Sequence, residues 1–120
     1  MSELEGEDAK LVVLARAARS RAYTPHGQGR VEGAAMRDTD GRTYTAATVE
    51  HADPALTTSA LRAAFTAAAS SGARAFEAAV VVSDAGEIDP VDVVVLRELG
   101  AGVPVHLADP AGAVVTTQTT

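Results

Sequence analysis

Apolar and polar positions recur along this chain with two periods, and the switches between them lay out its elements. Over residues 2–20, Leu4, Leu11, Leu14, Ala15 and Ala18 fall at helical spacing. Glu3, Glu5, Glu7 and Asp8 come early and Arg16 and Arg19 late, the polarity that suits a helix dipole. The loop Tyr23-Thr24-Pro25-His26-Gly27-Gln28-Gly29 follows, broken by proline and glycine. Residues 30–37 and 42–49 read as strands joined by the turn Asp38-Thr39-Asp40-Gly41, a hairpin signal.

Asp53-Pro54 is read as opening a second helix that runs to Ser71, an acidic cap followed by proline in the first turn. Leu56, Ala60, Leu61, Ala64, Phe65 and Ala68 form its apolar stripe, and Gly72 stops it. Residues 76–83 are apolar enough for a central strand. Asp89-Pro90 caps a third helix that extends to Leu99, Val103–Ala108 is a fourth strand, and Ala113–Thr116 a short last one. His106, within the fourth strand, is expected to face the surface, and the polar TTQTT tail to fray. The order α-β-β-α-β-α-β-β predicts an α/β protein, a mixed sheet flanked by helices in one domain over 1–120, with 1–8 and 117–120 as frayed ends. No internal repeat or interdomain linker interrupts it.

Composition narrows the classes. Of 120 residues, 47% are hydrophobic but only 3% aromatic, so the core must be Ala, Val and Leu packed closely. A net charge of −6 argues against nucleic-acid binding. The locally basic Arg16, Arg19, Arg21 and Arg30 read as helix-end cations plus a solvated loop. Without cysteine there are no disulfides and no thiolate metal sites. No apolar run approaches the ~20 residues that span a bilayer, and the N-terminus is acidic where a signal peptide is basic, so a cytoplasmic location is expected. Phosphate-loop, nucleophile-elbow and dinucleotide fingerprints are missing.

On these elements sit several telling stretches: Tyr23-Thr24-Pro25, Gly33-Ala34-Ala35-Met36, Asp40-Gly41-Arg42-Thr43-Tyr44-Thr45, Thr48-Val49-Glu50-His51-Ala52, Leu56-Thr57-Thr58-Ser59-Ala60-Leu61-Arg62 and Leu96-Arg97-Glu98-Leu99. In order and spacing they resemble the small, usually tetrameric cytidine deaminases, over about residues 9–116. The resemblance implies a three-layer α-β-α sandwich around a five-stranded mixed sheet, a zinc cofactor and a homo-oligomer.

The departures fall on the chemistry. Zinc deaminases hold the metal through Cys or His at one helix head and a Cys-x-x-Cys at the next, with a nearby Glu carrying protons. Here the first ligand position is Ser59 and the Glu position is Leu61. The Cys-x-x-Cys aligns with Val91 and Val94 when anchored on Pro90, or with Asp89 and Asp92 when anchored on Leu96–Leu99 without a gap. Both alignments stay open. A zinc-bound water has a pKa near 7, and a positioned acid or base adds roughly 10²–10⁴-fold, so losing both removes nucleophile and shuttle together. The expectation is a pocket converted to hydrocarbon, without zinc and without deaminase activity, in a structural or protein-interaction homo-oligomer (a tetramer or dimer) that has an unidentified protein partner as a further option.

Two alternatives are carried. One is an active nucleoside deaminase or other hydrolase with an unrecognised site. The other is a nucleoside sensor, in which the resemblance assigns ribose contacts weakly to Glu50 and to Thr48 in place of Asn. A His26, His51 and Asp53 metal cluster is supported by spacing alone.

Overall fold

In the computed structural model, which describes Leu4 and residues 6–120, the first amphipathic run folds as α1 (Gly6–Arg19). Residues 2, 3 and 5 of the predicted helix lie outside the described residues. The hairpin strands are β1 (Gly33–Asp38) and β2 (Thr43–Ala47), followed by α2 (Ala60–Ser70), β3 (Phe76–Val82), α3 (Pro90–Arg97), β4 (Pro104–Ala108) and β5 (Val114–Thr119). The sheet order is β2-β1-β3-β4-β5. Only β3 and β4 run parallel, connected through α3, and the other pairs are antiparallel.

The period-2 alternation sorts the strand side chains onto two faces. Ala35, Ala78, Val80, Val82 and Ala108 pack under Leu11, Val12 and Ala15 of α1. Ala34, Met36, Ala79, Val81, Val105 and Leu107 pack against Ala60, Leu61, Ala64 and Ala68 of α2 and Val93 and Leu96 of α3. The result is an α-β-α sandwich in three layers. Each fully buried Val or Leu contributes about 1.5–3 kcal/mol, so two alanine-lined cores depend on close approach.

Gly33 shows how close. A Cβ built there would overlap the Ala15 carbonyl oxygen and the Arg19 backbone, so α1 lies directly on the backbone of β1. No other residue fits. A polar network fastens the start of the same helix. Arg37 donates to Asp8 Oδ1 (2.8 Å) and Glu77 Oε1 (2.6 Å). The His106 ring nitrogens lie 2.8 Å from Thr117 Oγ1 and 3.1 Å from Asp8 Oδ2. His106 is therefore buried rather than surface-facing, because α1 and β5 both place polar partners against it.

Two further expectations change. Asp53 does cap a turn, accepting from the Ala55 N–H, but the turn is one 3-10 segment, Pro54–Leu56. The chain then extends, since Thr58 exchanges backbone hydrogen bonds with Val49, and α2 begins only after Ser59 caps it by accepting from the Arg62 N–H. The tail is likewise held. β5 pairs with β4 as far as Thr119, and Thr120 bonds to Val103, Gly100 and Gly102. β-Branched threonines supply strand propensity where the polar composition suggested fraying.

Candidate functional site

The heads of α2 and α3 meet beside the segment entering β1, and between them lies a cleft of about 190 Å³. It is lined by Ser59 and Arg62 of α2, Asp89 and Asp92 of α3, and Arg30, Glu32 and Thr48, with Pro54 and Thr57 at the side. Short helices set this geometry. Asp89 caps α3 by accepting from the Val91 N–H (2.9 Å), and Pro90 takes the first helical position. One turn of 3.6 residues then carries Asp92 inward while Val91 and Val94 face outward, 58% and 59% exposed.

The Ser59 hydroxyl donates to Asp92 Oδ1 (2.8 Å), and the Arg62 Nε lies 3.2 Å from Ser59 Oγ and 3.5 Å from Asp92 Oδ1. Arg62 also donates to the Thr57 carbonyl at 3.0 Å. Leu61 is 1% exposed and packs in the core beneath, away from the cleft lining. The expectation of a dry, hydrocarbon-filled site around Ser59 is corrected: the space is polar, because Asp92 rather than a valine turns towards α2.

Glu32 and Asp92 in the cleft and Glu50 outside it show how surroundings set the charge of a hidden carboxylate. Burial pushes Glu32 above the usual carboxylate range. The Ser83 hydroxyl and Arg30 pull it back, and the negative charges of Asp92 and Asp89 push it up again. Burial also raises Asp92, against the hydrogen bond from Ser59. Glu50 behaves oppositely. Its burial disfavours the anion, yet the backbone N–H groups of His26 (2.5 Å), Gln28 (2.7 Å) and Gly29 (2.5 Å) all donate to it and hold it low.

The remaining sequence candidates are placed as follows. Thr48 donates to the Arg30 carbonyl (2.7 Å) and accepts from the Glu32 N–H (3.1 Å), so its hydroxyl is engaged. Glu50 does not line the cleft; it straps the 26–29 loop. His26, His51 and Asp53 are exposed, and His51 and Asp53 serve local turns. Among the described residues no group of three His, Asp or Glu side chains could hold a metal ion. Zinc takes Cys, His and carboxylate donors, three or four of them in tetrahedral array, and in its protein sites at least one is ordinarily a Cys or His. The cleft lining carries neither Cys nor His, and its one hydroxyl at the helix head is already hydrogen-bonded as donor and acceptor, so it departs from that set.

Glu32 is the residue that sequence reading missed. Its signal is a lone acid inside Val31-Glu32-Gly33-Ala34-Ala35-Met36, an otherwise apolar strand entry. Buried to 4% exposure, it brings a carboxylate to the cleft from the segment entering β1.

Comparison with known proteins supplies the context. The chain matches solved structures of cytidine deaminases from Burkholderia pseudomallei (32% identity, 96% of this chain and 93% of that one, TM-score 0.83) and Mycobacterium leprae (25%, 96% and 94%, 0.77). It also matches that of Mycobacterium tuberculosis (26%, 92% and 89%, 0.75). No curated protein sequence matches. The family model described as cytidine deaminase-like matches residues 4–112, nearly the whole fold including both helix heads and the cleft between them. The chain belongs to the cytidine deaminase-like family.

Proposed function

We propose that this cytidine deaminase-like protein does not bind catalytic zinc or deaminate nucleosides, and that it works as a self-assembling, non-catalytic domain of the cytoplasm. The observation that carries the reading is the head of α2. Ser59 there is committed to Asp92 and Arg62, and Leu61 is packed into the core. The first offers no thiolate to a metal, and the second cannot move a proton. Asp89 and Asp92, beside Ser59, take the places of the family's Cys-x-x-Cys in the gap-free alignment. Ribose holding fails on the same logic, since Thr48 and Glu50 both bond to the chain's own backbone. Self-assembly is supported by apolar side chains left outside the fold, among them Val91 and Val94 on the outer face of α3.

Two measurements test this. Purified protein incubated with cytidine, with and without added zinc, is expected to release no ammonia and to retain no stoichiometric zinc after dialysis. Ammonia release together with bound zinc overturns the reading. Light scattering behind size exclusion is expected to give a dimer or tetramer, and a monomer at micromolar concentration removes the assembly half of it.

A further inference from the structure

We propose that the outer edge of β5 pairs with β5 of a second copy of this chain, antiparallel across a two-fold axis, so that two five-stranded sheets join into one. The proposal rests on the self-assembly reading above and names a surface for it. β5 ends the sheet order β2-β1-β3-β4-β5, and no described strand pairs with its outer side. It contributes no residue to either core, and the helix layers pack on the other strands instead. Residues 113–120 carry no charged side chain, no proline and no glycine, in a chain of net charge −6. Edge strands are ordinarily kept from pairing by charge, by proline or by a covering element, and this one has none of these. Two acidic copies repel each other least where the approaching strip is neutral. The one irregularity, a register shift opposite Leu107 and Ala108, lies at the start of the strand and leaves Thr116–Thr119 in unbroken register with β4.

The ladder shows which backbone groups are unspent. The Thr120 N–H donates to the Val103 carbonyl, and Pro104, which has no N–H, lies opposite Thr119. Antiparallel pairs alternate between bonded and non-bonded, so Thr116 and Gln118 bond to β4 while the N–H and C=O groups of Thr117 and Thr119 point away from the sheet. With Gln118 set against Gln118 of the partner subunit, Thr117 meets the partner's Thr119, and Thr119 meets the partner's Thr117. That register exchanges four backbone hydrogen bonds. It places threonine pairs on the face shared with His106, and two glutamine amides, each both donor and acceptor, on the face shared with Val105. Bulk does not prevent it. The two β4 strands would stand three spacings apart, about 14 Å, which exceeds the roughly 10–12 Å width of a helix. The strand is also held before it pairs, since Thr120 bonds to Val103, Gly100 and Gly102, so little ordering is left to oppose association.

Both Gln118 and Thr119 are exposed, so substitutions there leave the fold intact, as melting curves would establish. Gln118→Glu keeps the side-chain shape but sets two carboxylates against each other at the axis. Light scattering behind size exclusion is expected to show the mass of the parent assembly halved in this variant, and restored at high salt. The chain has no cysteine, so Gln118→Cys introduces its sole thiol. Non-bonded antiparallel partners have Cα atoms about 4.5 Å apart, within the reach of a disulfide, and copper-phenanthroline oxidation is expected to give a covalent dimer. Thr119→Cys, whose counterpart is displaced by two residues along the strand, is expected to cross-link at least about tenfold more slowly. An assembly whose mass Gln118→Glu leaves unchanged, or equal cross-linking of the two thiols, overturns the β5 pairing and leaves the self-assembly reading standing. A parent that is itself a monomer at micromolar concentration removes both.

Discussion

Glu50 and Glu32 are almost equally hidden, 2% and 4% exposed, and lie at the two ends of the same hairpin, yet their surroundings push them in opposite directions. Glu50 is wrapped by three N–H groups of one loop and is held as an anion. Glu32 faces a cleft with two other carboxylates; the Ser83 hydroxyl and Arg30, 3.9 Å away, offset its burial only in part, and its neutral form is favoured. Burial alone therefore does not decide the charge of a carboxylate; the donors that come with it do. The first arrangement is architecture. The second leaves burial as the larger influence.

The largest effect is expected from creating a third case with neither donors nor cleft. Leu61→Glu puts a carboxyl into the core, and chemical denaturation should show a loss of about 3–5 kcal/mol. If that variant is instead as stable as the parent, Leu61 is not the core residue described here. Next comes Glu50→Ala, which orphans the N–H groups of His26, Gln28 and Gly29. Limited proteolysis is expected to cut within residues 24–29 in this variant and not in the parent. A loop equally resistant in both would deny Glu50 its role as a strap. Ser59→Ala removes a helix cap and the donor to Asp92 together, and a loss of about 1–2 kcal/mol is expected in the same denaturation assay.

The smallest effect separates the two glutamates by pH. Glu32 and Asp92 have folded-state pKa values above their unfolded ones of about 4.3 and 3.9, so the folded protein binds extra protons there and stability rises as pH falls from neutral. Glu50 has a folded value below its unfolded one, as do Asp8 and Asp38. Their stabilisation is complete above the unfolded values and is lost as pH falls through the folded ones. Melting temperature should therefore peak in mild acid. Glu32→Gln should flatten the neutral side of that peak and leave the acid side in place. A peak unaltered by the substitution would mean that Glu32 is solvated.

Much of the fold was legible because the two periods differ so plainly. Leu11, Ala15 and Ala18 cannot be read as a strand, nor residues 76–83 as an amphipathic helix. What failed were places where a distant partner outvotes the local pattern. Asp53-Pro54 is as good a local helix start as Ser59, and the Thr58–Val49 bridge decides between them. His106 looked superficial because Asp8 and Thr117 are 98 and 11 residues away. The TTQTT tail looked loose because pairing with β4 leaves no mark in its composition.

The site divides along the same line. Ser59 and Leu61 could be singled out from a local motif. Whether Asp92 or the valines face Ser59 depends on how an eight-residue helix is rotated, which only its packing fixes. Glu32 escaped notice because a strand assignment says nothing about which distant helix heads its side chain meets.

One joint ties the two faces of the sheet. Gly33, on which α1 rests, follows Glu32 directly, so the carboxylate in the cleft is set in position by a helix on the far side. Any bulk added at that glycine must lift α1 or shift the strand, and a shifted strand re-aims Glu32. The shape of the cleft can therefore be altered by a substitution that never touches it, hidden behind the sheet where a search of the lining would not look.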